Sequence, residues 1–388
     1  ALAKLGPLKG KLSPSNITYI YIVSLVCSYG VGWLSPCSSW GAYFGARIQD
    51  PTATLDYIPT YMAPAPAIAK QIVMGGVPVP WADVFPSIAF WWIYTALNAM
   101  MMLSLAMIFR RSWIDVERVP FPHVVAAHEL LARASPKEMG EQRTTSLFSP
   151  FVIGLIIGMA FQFPILTSEL FPWFPDIYGW RSVCGGGEWY VTTDNALASI
   201  AGFASFNKHP VIIAIAYLIP LSVLFSTWFF YMVYMVIIQT TFVMGFYTGE
   251  TGKGGCGRAW CAPGPQYSEP LKFTAISFAG GMLGIGLYYL ITNRRYLSET
   301  FGAAIGRLSR DRIEEIEKNE AMSYKNSYLM LGLSAFLVIA ILLAIGLSIA
   351  GSVLMIVTIL LLWIANGRSY GMTAVPFLSD DYGNVLFR

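Results

Sequence analysis

From residue 210 to residue 247 the chain carries no charged side chain, and near the middle of that run stands Pro220, set among hydroxyls in YLIPLSVLFST at 217–227. A run of this length belongs in lipid, where a helix needs roughly 20 apolar residues to cross. Pro220 has no N–H to donate and its ring clashes with the preceding turn, so a carbonyl near Ala216 is expected to lose its helical partner. In hydrocarbon such a group is costly unless protein, water or a solute satisfies it. Carriers build sites at helix breaks of this kind. On that ground Tyr217, Pro220, Ser222, Ser226 and Thr227 are the substrate-binding candidates.

The rest of the composition agrees with a membrane setting. Of the 388 residues, 55% are hydrophobic and 12% charged, against roughly 25% charge in soluble domains. The expected fold is all-α: a polytopic transmembrane bundle forming a single integral membrane domain over 1–388. About eight membrane segments are expected, near 16–33, 84–109, 148–169, 198–219, 221–247, 271–292, 326–348 and 349–365. The pair meeting near Pro220 is read as proline-broken or re-entrant.

A net charge of +3 is too small to argue for nucleic acid, and the basic residues form no aromatic-interleaved patch. Their placement is more informative. They gather before the first segment (Lys4, Lys9, Lys11) and in the loops 110–147 and 293–325, which the positive-inside rule assigns to the cytoplasm together with the N-terminus. The expected location is the cell membrane. Two cytoplasmic loops need an even number of crossings between them, so 198–247 should hold two passes, or one pass and a re-entrant return.

The exterior loops are then 34–83, 171–195 and 248–270, rich in Gly, Pro, Trp and Tyr. They carry Cys37, Cys184, Cys256 and Cys261. On an oxidising side these are disulfide candidates with three conceivable pairings, free thiols being the alternative. Trp173, Trp180, Trp189 and Trp260 fit an interfacial aromatic belt, or a lid.

No catalytic constellation is present. The chain has no GxSxG, no P-loop and no pair of carboxylates within a span, so it is not read as an enzyme, and no cofactor is implied. His123 and His128 lie five residues apart beside Glu129, without HExxH, and no metal site is expected. Glu169, Lys208 and Lys272 come near membrane depth only at helix ends, where snorkelling suffices. Asn98, Gln162, Thr167 and Gln239 read as interhelical packing groups. The stretch 296–319 reads as a surface helix with Leu297, Phe301, Ile305 and Leu308 in register, and 366–377 as a short re-entrant element or a cytoplasmic tail.

Five segments carry a family resemblance: RRSWIDVERVPFP at 110–122, HPVIIAIAYLIPLSVLFSTWFFY at 209–231, NRRY at 293–296, MSYKNSYLMLG at 322–332 and GRSYGMTAVPF at 367–377. Together the chain resembles the oligopeptide transporter superfamily, in particular its peptide-transporter-like prokaryotic relatives. The resemblance implies a cation- or proton-coupled secondary transporter of peptides or metal chelates. The competing expectation is a non-transporting scaffold subunit whose exterior loops anchor a partner in a larger assembly. The expected partners are the lipid bilayer, a small peptide or chelate, and either further copies of the chain or other subunits of a membrane complex.

Overall fold

The structure is a computed structural model that describes residues 14–31, 36–134, 150–179, 188–203, 205–207, 210–246 and 280–373. In chain order its helices are α1 (Pro14–Val31), α2 (Pro36–Gln49), α3 (Pro51–Tyr57), α4 (Pro66–Met74), α5 (Trp81–Arg110), α6 (Pro122–Ala134) and α7 (Pro150–Leu170). Two short strands follow, β1 (Glu188–Tyr190) and β2 (Ser205–Asn207), then α8 (Pro210–Ala216), α9 (Leu221–Val243), α10 (Gly281–Thr292), α11 (Arg294–Ala304), α12 (Arg310–Glu317), α13 (Tyr324–Ile345) and α14 (Ile349–Thr373). Prolines open α1 to α4 and α6 to α8, at the position where a missing N–H costs nothing. That is where much of the chain's proline goes.

Five helices, not the expected eight, are long and apolar enough to cross a membrane among the described residues: Trp81–Val116, Val152–Leu170, Leu221–Val243, Tyr324–Ile345 and Ile349–Thr373. The expected segment at 16–33 is helical as α1, but Asn16, three tyrosines and three serines dilute its apolar content, and it is not among the five. The expected segment at 198–219 is not one helix. It divides into a 3-10 turn (Ala196–Ser199), β2 and the seven-residue α8, because Gly202 and Pro210 interrupt it. Of the expected segment at 271–292, residues 271–279 lie outside the described residues, and the apolar helix α10 covers 281–292.

The chain divides into two compact units, Ala1–Val119 with Leu283–Arg368, and Pro120–Met282 with Ser369–Arg388. In the first, α5 and α13 pack side by side, and Met101 is buried against Val338, Leu342 and Ile356. Ser104 and Ser334, both buried, return their hydroxyls to Met100 O and Met330 O. Small residues whose polar groups are already satisfied let helices approach closely in lipid. Gly286 on α10 sits so close to α14 that a Cβ would run into Leu361 O. Between α13 and α14 the chain turns on Gly346 at φ +106°, with Leu347 N–H bonded to Leu342 O, a left-handed helix cap.

The expected surface helix at 296–319 is two helices. Gly306, at φ +72°, closes α11, and Ser309 opens α12. Ala303, Ile316 and Tyr324 bury the contact of α11, α12 and α13, while Phe301 and Ile305 stay exposed. At the other end of the unit Trp91 Nε1 donates to Met62 O at 2.8 Å, and Trp40 Nε1 to Ser87 Oγ at 2.9 Å. Arg47 is fully buried and donates to Ile58 O at the end of α3.

In the second unit β1 and β2 pair antiparallel, with Trp189 opposite Phe206. The loop between them reaches α9: Ala201 N–H donates to Gln239 Oε1 at 2.9 Å, and Gly202 lies under Ile238. Gln239, expected to bond between helices, holds a loop instead. Residues 366–373 simply continue α14 rather than forming a re-entrant element or a tail.

Candidate functional site

A group of interlocking polar side chains in the first unit stands where α5 ends. There the helix widens into a π turn over Arg111–Val116, with Glu117 N–H bonded to Ser112 O at 2.8 Å. Such i→i+5 turns are rare and recur at functional sites. The chain then passes Arg118 at φ +53°, a left-handed conformation costly for a residue with a side chain.

This turn presents Ser112, Trp113 and Glu117 to α10 and α14. Tyr289 of α10 donates its hydroxyl to Glu117 Oε1 at 2.6 Å and lies 2.8 Å from Ser112 Oγ. Arg368 of α14 donates Nε to Glu117 Oε2 at 3.0 Å, its guanidinium 5.3 Å from the centre of the Tyr289 ring. Both carboxylate oxygens of Glu117 are thus engaged, by groups from two other elements. Phe109 and Trp113 stack with centroids 5.5 Å apart and close the apolar side. Gly367 allows the contact, since a Cβ there would meet the Trp113 ring at 3.0 Å. The Trp113 indole N–H is buried without a protein acceptor. The pair itself is less enclosed, the side chains of Arg368 and Glu117 being 38% and 23% exposed.

Further along the same unit lies a second polar group. Tyr296 donates to Ile108 O at 2.7 Å, at the last α turn before the widening. Burial raises the Tyr296 hydroxyl above its ordinary value. Glu299 accepts from Arg312 at 2.6 Å and pairs with Arg111 at 3.4 Å.

The substrate-binding candidates predicted from sequence lie in the second unit. The break is there: α8 ends at Ala216, and Pro220 caps α9. The carbonyl expected to be orphaned is not, because Ile219 N–H donates to Ala216 O at 3.2 Å in a tight turn. Tyr217 is 87% exposed. Ser222 is exposed, and Ser226 and Thr227 return their hydroxyls to Ser222 O and Val223 O of their own helix. The structure does not gather these five residues around a common point.

His123 and His128 also part company. His123 lies 4.5 Å from the Tyr370 ring, its Nδ1 buried without a partner, and burial lowers its pKa; His128 is exposed. Of the disulfide candidates, Cys184, Cys256 and Cys261 lie outside the described residues, and Cys37 falls in α2; no disulfide is seen among the described side chains. Lys208, His209, Lys272, Trp180 and Trp260 lie outside the described residues too.

Glu117, Tyr289 and Arg368 were not candidates from sequence. Yet three segments of the family resemblance supply parts of this region: RRSWIDVERVPFP holds Ser112, Trp113 and Glu117, NRRY holds Tyr296, and GRSYGMTAVPF holds Arg368. A polar residue closing an apolar run, repeated at the ends of three helices, was the readable signal. Five apolar helices of spanning length make this a multi-pass membrane protein. No curated protein and no solved structure matches the chain, and no transporter family is identified. One family model covers residues 9–377, nearly the whole chain, and by that match the chain belongs to the family of unknown function DUF6785.

Proposed function

We propose that the chain is a membrane carrier that recognises a small zwitterionic solute, a short peptide or a metal chelate, at Glu117 and Arg368. The observation that carries this reading is the pairing of a carboxylate and a guanidinium from distant parts of the chain at the ends of two apolar helices. Charged side chains at helix ends can reach the interface singly, and here the two are held to each other instead. While empty, each charge satisfies the other. A solute ammonium takes the place of Arg368 on Glu117, and a solute carboxylate takes the guanidinium in the planar, two-point geometry arginine favours. Tyr289 and Ser112 hold the carboxylate oriented, and the Trp113 N–H is a buried donor without a protein acceptor.

The test is uptake of labelled dipeptides into proteoliposomes, compared with analogues blocked at the amino or carboxyl end. Blocking either end should abolish uptake, as should Glu117→Gln or Arg368→Gln in folded protein. Uptake indifferent to both substitutions overturns the assignment. No uptake of any solute, with other proteins co-purifying stoichiometrically in gentle detergent, favours the scaffold instead.

A further inference from the structure

Glu320, between α12 and α13, is the most enclosed carboxylate among the ion pairs of the described residues: its side chain is only 3% exposed. Arg110, from the end of α5, places Nη1 3.3 Å from Glu320 and 3.6 Å from Asp115, whose side chain is 43% exposed. One cation is therefore shared between a buried acid and an open one. The same oxygen, Glu320 Oε1, accepts from the Tyr324 hydroxyl at 3.4 Å. Tyr324 lies 3.3 Å from the Tyr296 hydroxyl, and Tyr296 reaches Ile108 O at the foot of the π turn that carries Glu117. Glu317 of α12 is committed elsewhere, accepting the Tyr324 N–H at 2.7 Å.

We propose that Glu320 is the proton-binding site that couples this carrier, loading a proton as Arg110 is handed to Asp115 and releasing it as Arg110 returns. The inference rests on the carrier reading above and names the acid that would couple it. The bookkeeping is simple: one proton from bulk water adds to the Glu320 carboxylate, its negative charge disappears, and the guanidinium moves to the remaining carboxylate, with no redox partner needed. The environment favours the exchange. Burial pushes the Glu320 carboxyl above the ordinary carboxylate range, and Asp115 adds to that, while Arg110 and the Tyr324 hydroxyl pull it down. Arg111 also stands near the two tyrosines. A group balanced between opposing influences responds to a small change in any of them.

The first readout needs no transport: infrared pH titration of the purified protein, following the carbonyl stretch of protonated carboxylic acids. A band that appears on acidification, vanishes in Glu320→Gln and persists in Glu117→Gln is the expected result. Arg110→Gln should move its midpoint to higher pH and Asp115→Asn to lower pH, so the proposal stays testable if Glu320→Gln fails to fold. A band untouched by Glu320→Gln, or midpoints indifferent to Arg110 and Asp115, overturns it. In proteoliposomes, Glu320→Gln should keep solute exchange and lose accumulation driven by a proton gradient, whereas a merely structural role would weaken both together. Unaltered proton-driven accumulation in Glu320→Gln removes Glu320 and leaves the carrier standing. A behaving band in a protein that moves no solute does the reverse.

Discussion

The polar residues around Glu117 bond to partners on other elements, whereas those beside Pro220 bond to their own helix. Both groups sit at the end of an apolar run, and both contain hydroxyls. Around Glu117, however, Ser112, Tyr289 and Arg368 converge on one carboxylate from three stretches of chain. Beside Pro220, Ser226 and Thr227 each reach back one turn, the usual way such residues are made harmless in a membrane helix. Convergence fixes a geometry that depends on the whole fold; back-bonding depends only on the local helix.

This contrast is most sharply broken at the glycines. Gly286→Ala drives a Cβ into the Leu361 carbonyl, a backbone atom that cannot step aside, and should cost about 3 kcal/mol. Gly202→Ala meets the Ile238 and Met235 side chains at 3.1 and 3.2 Å, which can shift, and should cost less than about 1 kcal/mol. Thermal unfolding in one detergent compares them; equal losses would mean that the first unit is no more constrained than the second. Next comes Glu117→Ala, which strands Arg368 and the Tyr289 hydroxyl and should cost about 2 kcal/mol, less than a fully buried pair because Arg368 is more than a third exposed. Tyr289→Phe, which keeps the ring and removes one donor, should cost about 1 kcal/mol.

A smaller effect sits at His123. Its folded pKa is below the ordinary value of about 6.5 because burial penalises the imidazolium. A depressed pKa contributes stability that is present above the unfolded value and lost as pH falls through the folded one. Comparing parent with His123→Phe over that acidic window should therefore show the parent losing more stability. A parallel loss in both would put the imidazole outside the account. Smallest is Ser222→Ala combined with Ser226→Ala, expected within about 0.5 kcal/mol of the parent and with uptake unchanged. Abolished uptake in that double variant would move the proposed recognition site from Glu117 to the Pro220 break.

The apolar helices were legible because their signal is local. Twenty neighbouring residues are enough to read α5, α7, α9, α13 and α14, and Pro220 punctuates its run in the sequence as it does in space. The errors at 16–33 and 198–219 came from runs of marginal hydropathy, where a few tyrosines, a glycine or a proline decide the outcome. The polar site was illegible for the opposite reason. Tyr289 stands 172 residues from Glu117, and Arg368 stands 251 residues from it; no window contains them. Glu117 also lies in a basic stretch whose charges read as membrane orientation, and an acid among arginines looks like a solvated loop until its partners arrive.

The π turn makes the direction of Glu117 a matter of counting. An i→i+5 turn holds one residue more than the α turn it replaces, and one residue of α-helix corresponds to about 100° of rotation. Relaxing 111–116 to a plain α turn with all its residues kept would swing the carboxylate about a quarter of the way round the helix, with every partner still present in the chain, whereas losing one residue there would let the turn close to α with the carboxylate still facing its partners. Among members of this family, whether that segment is wound as π or α therefore carries information that the kinds of residue in it do not: a relative can keep the acid, the tyrosine and the arginine and still aim the acid at nothing.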